Sequence, residues 1–257
     1  MDLGIDGRTA LVCASTGGLG EATARALAAE GAKVVITGRR GDVAAKIAAE
    51  LPQAIAVEVD ITALDGPATA VDAATKAFGP VDILVLNGPG PRPGGATSLT
   101  DSDLSGAVDT LLLPHQRLIS LVLDGMRERA WGRILAVGSS GIVAPIPTLA
   151  LSNVGRAALA GYLKSLAVEV AADGVTVNLL LPGRIATDRT VALDAAQAER
   201  DGRTPAEVTA ASTAGIPARR YGRPDEYGAV AAFLCSNAAS YVTGTAVRCD
   251  GGNVPVL

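Results

Sequence analysis

Histidine is almost missing from this sequence. His115 is the only one among 257 residues, so any mechanism needing two imidazoles is excluded. Cysteine is scarce too. Cys13, Cys235 and Cys249 are an odd number with no CxxC spacing. That argues against a disulfide framework and a zinc site, so no metal is expected, and it fits a reducing cytoplasmic setting. No apolar run approaches the roughly 18 residues that cross a bilayer. The opening stretch Met1–Asp6 has no basic segment followed by an apolar one, so it does not read as a signal peptide. An excess of positive charge is also absent. The formal net charge is -4, which argues against a nucleic-acid surface. With 49% hydrophobic and 19% charged residues, the chain can bury a sizeable core without covalent staples.

What is present is alternation. Short apolar runs at 10–14, 33–37, 54–60, 81–87, 133–138, 175–181 and 246–249 are separated by longer alanine-rich stretches of helical pattern. The runs are continuous Val/Ile/Leu, as in parallel strands covered on both faces. The expected fold class is α/β: a doubly wound, Rossmann-type parallel sheet of about seven strands and about six helices, with helices on both faces. One domain is expected over 1–257, with a substrate lid around 186–215. Ligands of such sheets bind beyond the carboxyl ends of the strands, so the loop Pro89–Gly95 is expected to wall the site.

The first strand runs into Ser15-Thr16-Gly17-Gly18-Leu19-Gly20, and a helix is expected from Glu21 to Glu30. Glycines there let backbone approach a pyrophosphate, and the helix start supplies free N–H groups. The second strand ends in Gly38-Arg39-Arg40, where an NAD-preferring site would carry an acid for the ribose 2′-hydroxyl. Arg39 suits a 2′-phosphate instead, so NADP(H) is expected over NAD(H).

Several stretches then carry a resemblance. Ser15 to Gly20 resembles the end of a TGxxxGxG turn, and Asp60-Ile61 a pair that contacts adenine. Asn87-Gly88 is similar to half of an NNAG element. Asn178 to Thr187, reading NLLLPGRIAT, is similar to an NxxxPGxxxT segment. Gly222-Arg223-Pro224 and Asp250-Gly251-Gly252 match carboxyl-terminal landmarks. Together they resemble the compact, single-domain short-chain dehydrogenase/reductase family. The resemblance implies a cofactor lined by Ser15, Thr16, Gly18, Leu19, Gly20, Arg39, Asp60, Ile61 and Asn87. It adds Pro182, Gly183, Ile185 and Thr187 beside the nicotinamide. It also implies a homodimer or homotetramer built on the helices holding Leu111 and Ser152. One departure is that Cys13-Ala14 replaces the opening Thr-Gly. The extra methyl is expected to be tolerated if φ there is negative.

The family's chemistry rests on Asn, Ser, Tyr and Lys. Ser139, at the end of the fifth strand, keeps the serine. Thirteen residues on, where a YxxxK element should begin, the sequence reads Ser152-Asn153-Val154-Gly155-Arg156. The Asn position falls at Leu111. Ser152 and Arg156 share a helix face as Tyr and Lys would. A serine hydroxyl is a far poorer acid than a phenol and much shorter. Arg156 stays charged and cannot relay protons, but it can hold ribose. Ser139, Ser152 and Arg156 are therefore the candidate catalytic set. Tyr162 is on the wrong helical face, and Tyr221, Tyr227 and Tyr241 have no assigned place. His115 reads as a packing residue, with acid–base catalysis as the rival reading. Arg92, Arg184 and Asp188 read as solvated loop charges, or, with Arg156, as a wall for an anionic substrate. Trp131 and the cysteines read as structural.

The function expected is an NADP(H)-binding oxidoreductase acting on a small carbonyl or alcohol with an altered site. The alternatives are a redox-inactive nucleotide- or ligand-binding relative, or a lyase or isomerase on the same fold.

Overall fold

The computed structural model describes residues 2–256. Among them, the apolar runs form seven parallel strands: β1 Thr9–Val12, β2 Lys33–Gly38, β3 Ala54–Glu58, β4 Ile83–Leu86, β5 Gly132–Val137, β6 Val175–Pro182 and β7 Ala246–Cys249. Their spatial order is β3-β2-β1-β4-β5-β6-β7. The direction of winding reverses between β1 and β4, which opens the crevice of a doubly wound sheet at their carboxyl ends.

The five inner strands β2, β1, β4, β5 and β6 are buried almost throughout, the edge strands β3 and β7 only in part, and side chains alternate between two cores. Leu11 and Cys13 face one core; Ala10 and Val12 face the other. The first is closed by α3 (Gly66–Phe78), α5 (Leu113–Glu128) and α6 (Ala150–Val170) through residues such as Val71, Leu118 and Leu163. The second is closed by α1 (Gly18–Ala29), α2 (Gly41–Ala49) and α9 (Pro224–Leu234) through Leu27, Ile47 and Tyr227. The fold class read from the sequence is therefore the one observed.

The described residues hold nine α-helices rather than about six: seven helical segments, two of which are divided. After β4, α4 (Asp101–Leu111) stops at Leu112 before α5 begins, with Pro114 in the first turn of α5. Proline is tolerated there because it removes no intrahelical bond. After β6, the 186–215 segment is α7 (Asp188–Asp201) and α8 (Pro205–Gly215), split at Gly202 and restarted by the Thr204–Glu207 capping box. The first helix starts at Gly18, three residues before the expected Glu21.

At the amino ends of the strands, Trp131 is held between two guanidinium groups, Arg8 at 4.0 Å and the buried Arg133 at 4.3 Å from the ring centre. Its indole N–H donates to Asn237 Oδ1 at 2.7 Å. This end lies opposite the crevice, so Trp131 is structural, as expected. No helix among the described residues is long and apolar enough to cross a membrane.

Candidate active site at the carboxyl ends of the strands

The turn after β1 is built around an alanine in a glycine's conformation. Ala14 has φ 46°, in the left-handed region. The condition of a negative φ, under which the methyl would be tolerated without strain, is thus not met. Long-range bonds hold the residue there: its N–H donates to Thr37 Oγ1 at 3.2 Å, and its carbonyl accepts from Asn87 Nδ2 at 3.1 Å. The strain of an L-residue in this region is about 1–2 kcal/mol. Gly20 is required next to it, since a Cβ there would lie 2.5 Å from the Ala14 oxygen.

Ser15 is corrected as well. It was expected to line the cofactor, but it is fully buried. Its Oγ donates to the Val12 carbonyl and accepts from Thr37 N–H, so it shapes the turn from beneath. Above it, the N–H groups of Gly18, Leu19 and Gly20 begin α1 with no hydrogen-bond partner among the described residues. Such a row of free N–H groups at a helix start fits a diphosphate. Across the crevice stands Thr187, the N-cap of α7, whose methyl would lie 3.7 Å from a Cβ at Gly18.

At the end of β2, Arg39 is exposed and faces the Asp60 carboxylate at 3.9 Å. Its neighbour Arg40, not singled out from the sequence, donates to the Thr16 carbonyl and to Thr16 Oγ1. Nothing local in the sequence marks that contact, since Thr16 lies 24 residues away. Asp60 Oδ1 accepts from Thr62 N–H and Oγ1, which holds its carboxyl below the usual range. Ile61 and Ile185 are buried, so their apolar side chains serve the packing. Gly183 follows Pro182 and passes so close to Asp250 that a Cβ would meet its Cα at 2.6 Å.

The three candidate catalytic residues converge through Arg156. Its Nε donates to Ser152 Oγ at 3.2 Å, and its Nη1 to the carbonyls of Val137 at 2.8 Å and Gly138 at 3.3 Å. Those carbonyls immediately precede Ser139, whose Oγ accepts from Gly141 N–H at 3.1 Å. The expectation that Arg156 reaches out to a ribose is corrected. The guanidinium folds back onto the end of β5 because that edge offers carbonyls, and only Nη2 lacks a hydrogen bond there. Burial, then the nearby Arg189 charge, bring the guanidinium down to about 10, so it remains a cation at neutral pH.

None of the four tyrosines replaces the missing phenol. Tyr227 is wholly buried beyond the sheet, and burial drives its phenol far up. Tyr221 gives its hydroxyl to Asp194 at 2.7 Å. Tyr162 packs against the core under α6, and Tyr241 is fully exposed. His115 is 3% exposed, and its Nδ1 donates to the Leu111 carbonyl at 2.9 Å. Burial holds the ring below the usual imidazole range, so it is neutral near pH 7 and Nε2 carries no proton to deliver. Nε2 also has no partner, and it faces Gly88 from behind. The packing reading of His115 therefore stands.

Of the two readings of Arg92, Arg184 and Asp188, the alternative of a cationic wall is revised. Arg92 pairs with Asp103 at 2.6 Å. Arg184 pairs with buried Asp194, which also accepts from Thr209 and Tyr221. Both are neutralised. Asp188 is exposed at the start of α7. The arginine that does reach the cleft is Arg189, which the sequence reading passed over. Its guanidinium lies on Gly90, where a Cβ would come within 2.1 Å of Nη2. Cys13 and Cys235 are buried thiols pushed up to about 12 and cannot act as nucleophiles.

The fold is shared with known proteins. The family model described as enoyl-(acyl carrier protein) reductase matches residues 13–253. The 3-oxoacyl-[acyl-carrier-protein] reductase FabG of Vibrio cholerae is 35% identical, over 97% of this chain and 98% of its own. Dehydrogenase/reductase SDR family member 4 of Bos taurus is 33% identical, over 98% of this chain and 89% of its own. L-sorbose reductase of Gluconobacter frateurii, solved with NADPH and L-sorbose, superposes with a TM-score of 0.94 at 30% identity over the whole of both chains. With the reversal of strand order at β1/β4 and the glycine turn that follows β1, these matches show that the chain belongs to the short-chain dehydrogenase/reductase family.

Proposed function

We propose that the chain is an NADP(H)-dependent reductase of a small carbonyl compound, working without the family's phenol. The observation that carries the cofactor is the free N–H row of Gly18, Leu19 and Gly20 facing Thr187, with Arg39 and Arg40 at the end of β2. The row fits a diphosphate, and the paired arginines fit a 2′-phosphate. Asp60, Ile61 and Asn87 would hold the adenosine side, and Pro182, Gly183, Ile185 and Thr187 the nicotinamide side. Bound NADPH supplies a hydride to the carbonyl carbon. The NADPH-bound sorbose reductase and the FabG reductase support this reading by likeness.

Within the chain, Ser139 Oγ is the donor for the substrate oxygen, its acceptor side being occupied by Gly141 N–H. Arg156 positions Ser152 and adds a fixed positive charge beside the oxygen as negative charge grows there. The proton that completes the alcohol comes from water, since neither Ser152 nor Arg156 is an adequate acid. The expected consequence is slow turnover with no titration step of a tyrosine in the pH profile. Titrating NADPH by fluorescence tests the cofactor; no binding at millimolar concentration would sink the reading.

The missing phenol favours a second reading, a binding protein that holds NADP(H) without turnover. A Ser152→Tyr, Arg156→Lys double variant separates the two. Carbonyl reduction gained by the variant and absent from the parent would identify the native chain as redox-disabled. Reduction by the parent itself supports the first reading.

A further inference from the structure

Two guanidinium groups in the cleft have no counter-charge. Arg156 stands at the carboxyl end of β5 with Nη2 unbonded. Arg189, the second residue of α7, crosses to the loop after β4 and lies on Gly90. Neither forms an ion pair among the described residues, and Asp188, the chain neighbour of Arg189, forms none with it. Arg39 pairs with Asp60, Arg92 with Asp103 and Arg184 with Asp194, while Arg40 is bonded to Thr16 at the end of β2. Arg156 and Arg189 sense each other, because the Arg189 charge is among the forces that disfavour the Arg156 cation. Two like charges without an ion pair at one cleft, Arg156 half-buried and Arg189 exposed, disfavour each other when the cleft is empty, and an oxyanion between them relieves this.

Strand order says which anion this is. β2, β1, β4 and β5 stand side by side. The sites fitted to a 2′-phosphate and a diphosphate stand over β2 and β1. Arg189 and Arg156 stand over β4 and β5, on the far side of the switch point and next to Ser139. The cofactor's phosphates are accounted for elsewhere, so this pair faces the substrate. The exposed Arg189 side chain lies against Gly90, where a Cβ would come within 2.1 Å of Nη2 and the flexible guanidinium would have to shift.

We infer that the substrate carries a compact oxyanion, a carboxylate or a phosphate ester, gripped between Arg156 Nη2 and Arg189 while its carbonyl oxygen meets Ser139. This rests on the crevice being the reacting site. Reduction then balances simply: the hydride of NADPH forms the new C–H bond, the carbonyl π bond breaks, water protonates the oxygen, and NADP⁺ leaves.

The test is calorimetry on NADPH-saturated protein with matched pairs: 4-oxopentanoate against 2-pentanone, and dihydroxyacetone phosphate against dihydroxyacetone. The charged member of at least one pair should bind about tenfold more tightly or better, roughly the worth of one charge-assisted contact. Which pair discriminates says whether carboxylate or phosphate is preferred. Arg189→Gln should erase the difference, Arg189→Lys should keep part of it, and Arg92→Gln should leave it unchanged. Equal binding by both members, binding by neither at millimolar levels, or an Arg189→Gln protein that keeps the preference would overturn the inference. Failure of the reductase reading looks different: the preference persists, but NADPH is not oxidised with any of the four compounds. If NADPH itself does not bind, the same titrations on the nucleotide-free protein still read the anion site.

Discussion

Ala14 holds a left-handed backbone for which its own side chain has no preference. Its amide and carbonyl are tied to Thr37 and Asn87, 23 and 73 residues away along the chain. Glycine would adopt the same φ without the clash, so Ala14→Gly should raise stability by about 1 kcal/mol. That corresponds to a rise in Tm of roughly 2–4 °C for a domain of this size, read by thermal unfolding. An unchanged or lowered Tm would show that the methyl is compensated by packing. The same scale shows where sequence reading stops. Ser152 and Arg156 were identifiable through the family resemblance, which puts them at the Tyr and Lys positions, and the helix fixes their common face. Where the guanidinium goes was not, because its acceptors are Val137 and Gly138 at the end of another element. Arg189 escaped notice for the same reason: nothing local marks Gly90 as its neighbour.

At the scale of elements, helix starts carry the acid sensitivity of the fold. Asp103 closes the capping box of α4, and Thr100 with Arg92 holds its carboxyl at about 2, from an ordinary 3.8. Glu226, at the start of α9, is held at about 2 from 4.5 by Arg220 and the Arg223 N–H. Both folded values lie below the unfolded ones. Their contribution is therefore complete above the ordinary values and is lost as the pH falls from about 4.5 towards 2. Urea unfolding between pH 2 and 7 should show this loss, and an Asp103→Asn, Glu226→Gln double variant should be less stable at pH 7 with a flatter acid limb. Solvent exposure of both groups makes the effect small and reduced by salt. The α7–α8 pair has a different anchor. Asp194 is buried and receives Arg184, Thr209 and Tyr221. Asp194→Ala leaves the Arg184 cation without its partner, so limited proteolysis should cut 188–215 faster while the rest of the chain stays resistant. Equal cleavage of variant and parent would show the helices are held by apolar contacts instead. That 186–215 would be helical was legible from its composition. Its division at Gly202 and its attachment through a buried carboxylate were not, since Asp194 reads in sequence as one more solvated acid.

For the whole molecule, Trp131 is a single reporter placed away from the cleft, between Arg8 and Arg133. Its emission should follow global unfolding. NADPH at a hundredfold excess over its Kd should stabilise the fold by about 2.7 kcal/mol, seen as a higher unfolding midpoint. NADH at the same concentration should raise it less, and equal shifts would remove the role given to Arg39 and Arg40. The sequence by itself determined the layered architecture and the family. Continuous apolar runs can be satisfied only as doubly covered parallel strands, and glycines at Gly18 and Gly20 mark where backbone must come close to a ligand. Only the tertiary structure decided the chemistry of the cleft. A charge acts according to what lies within a few ångströms of it, and for Arg92, Arg184, Arg156 and Arg189 those neighbours come from elsewhere in the chain, leaving two neutralised and two without an ion pair.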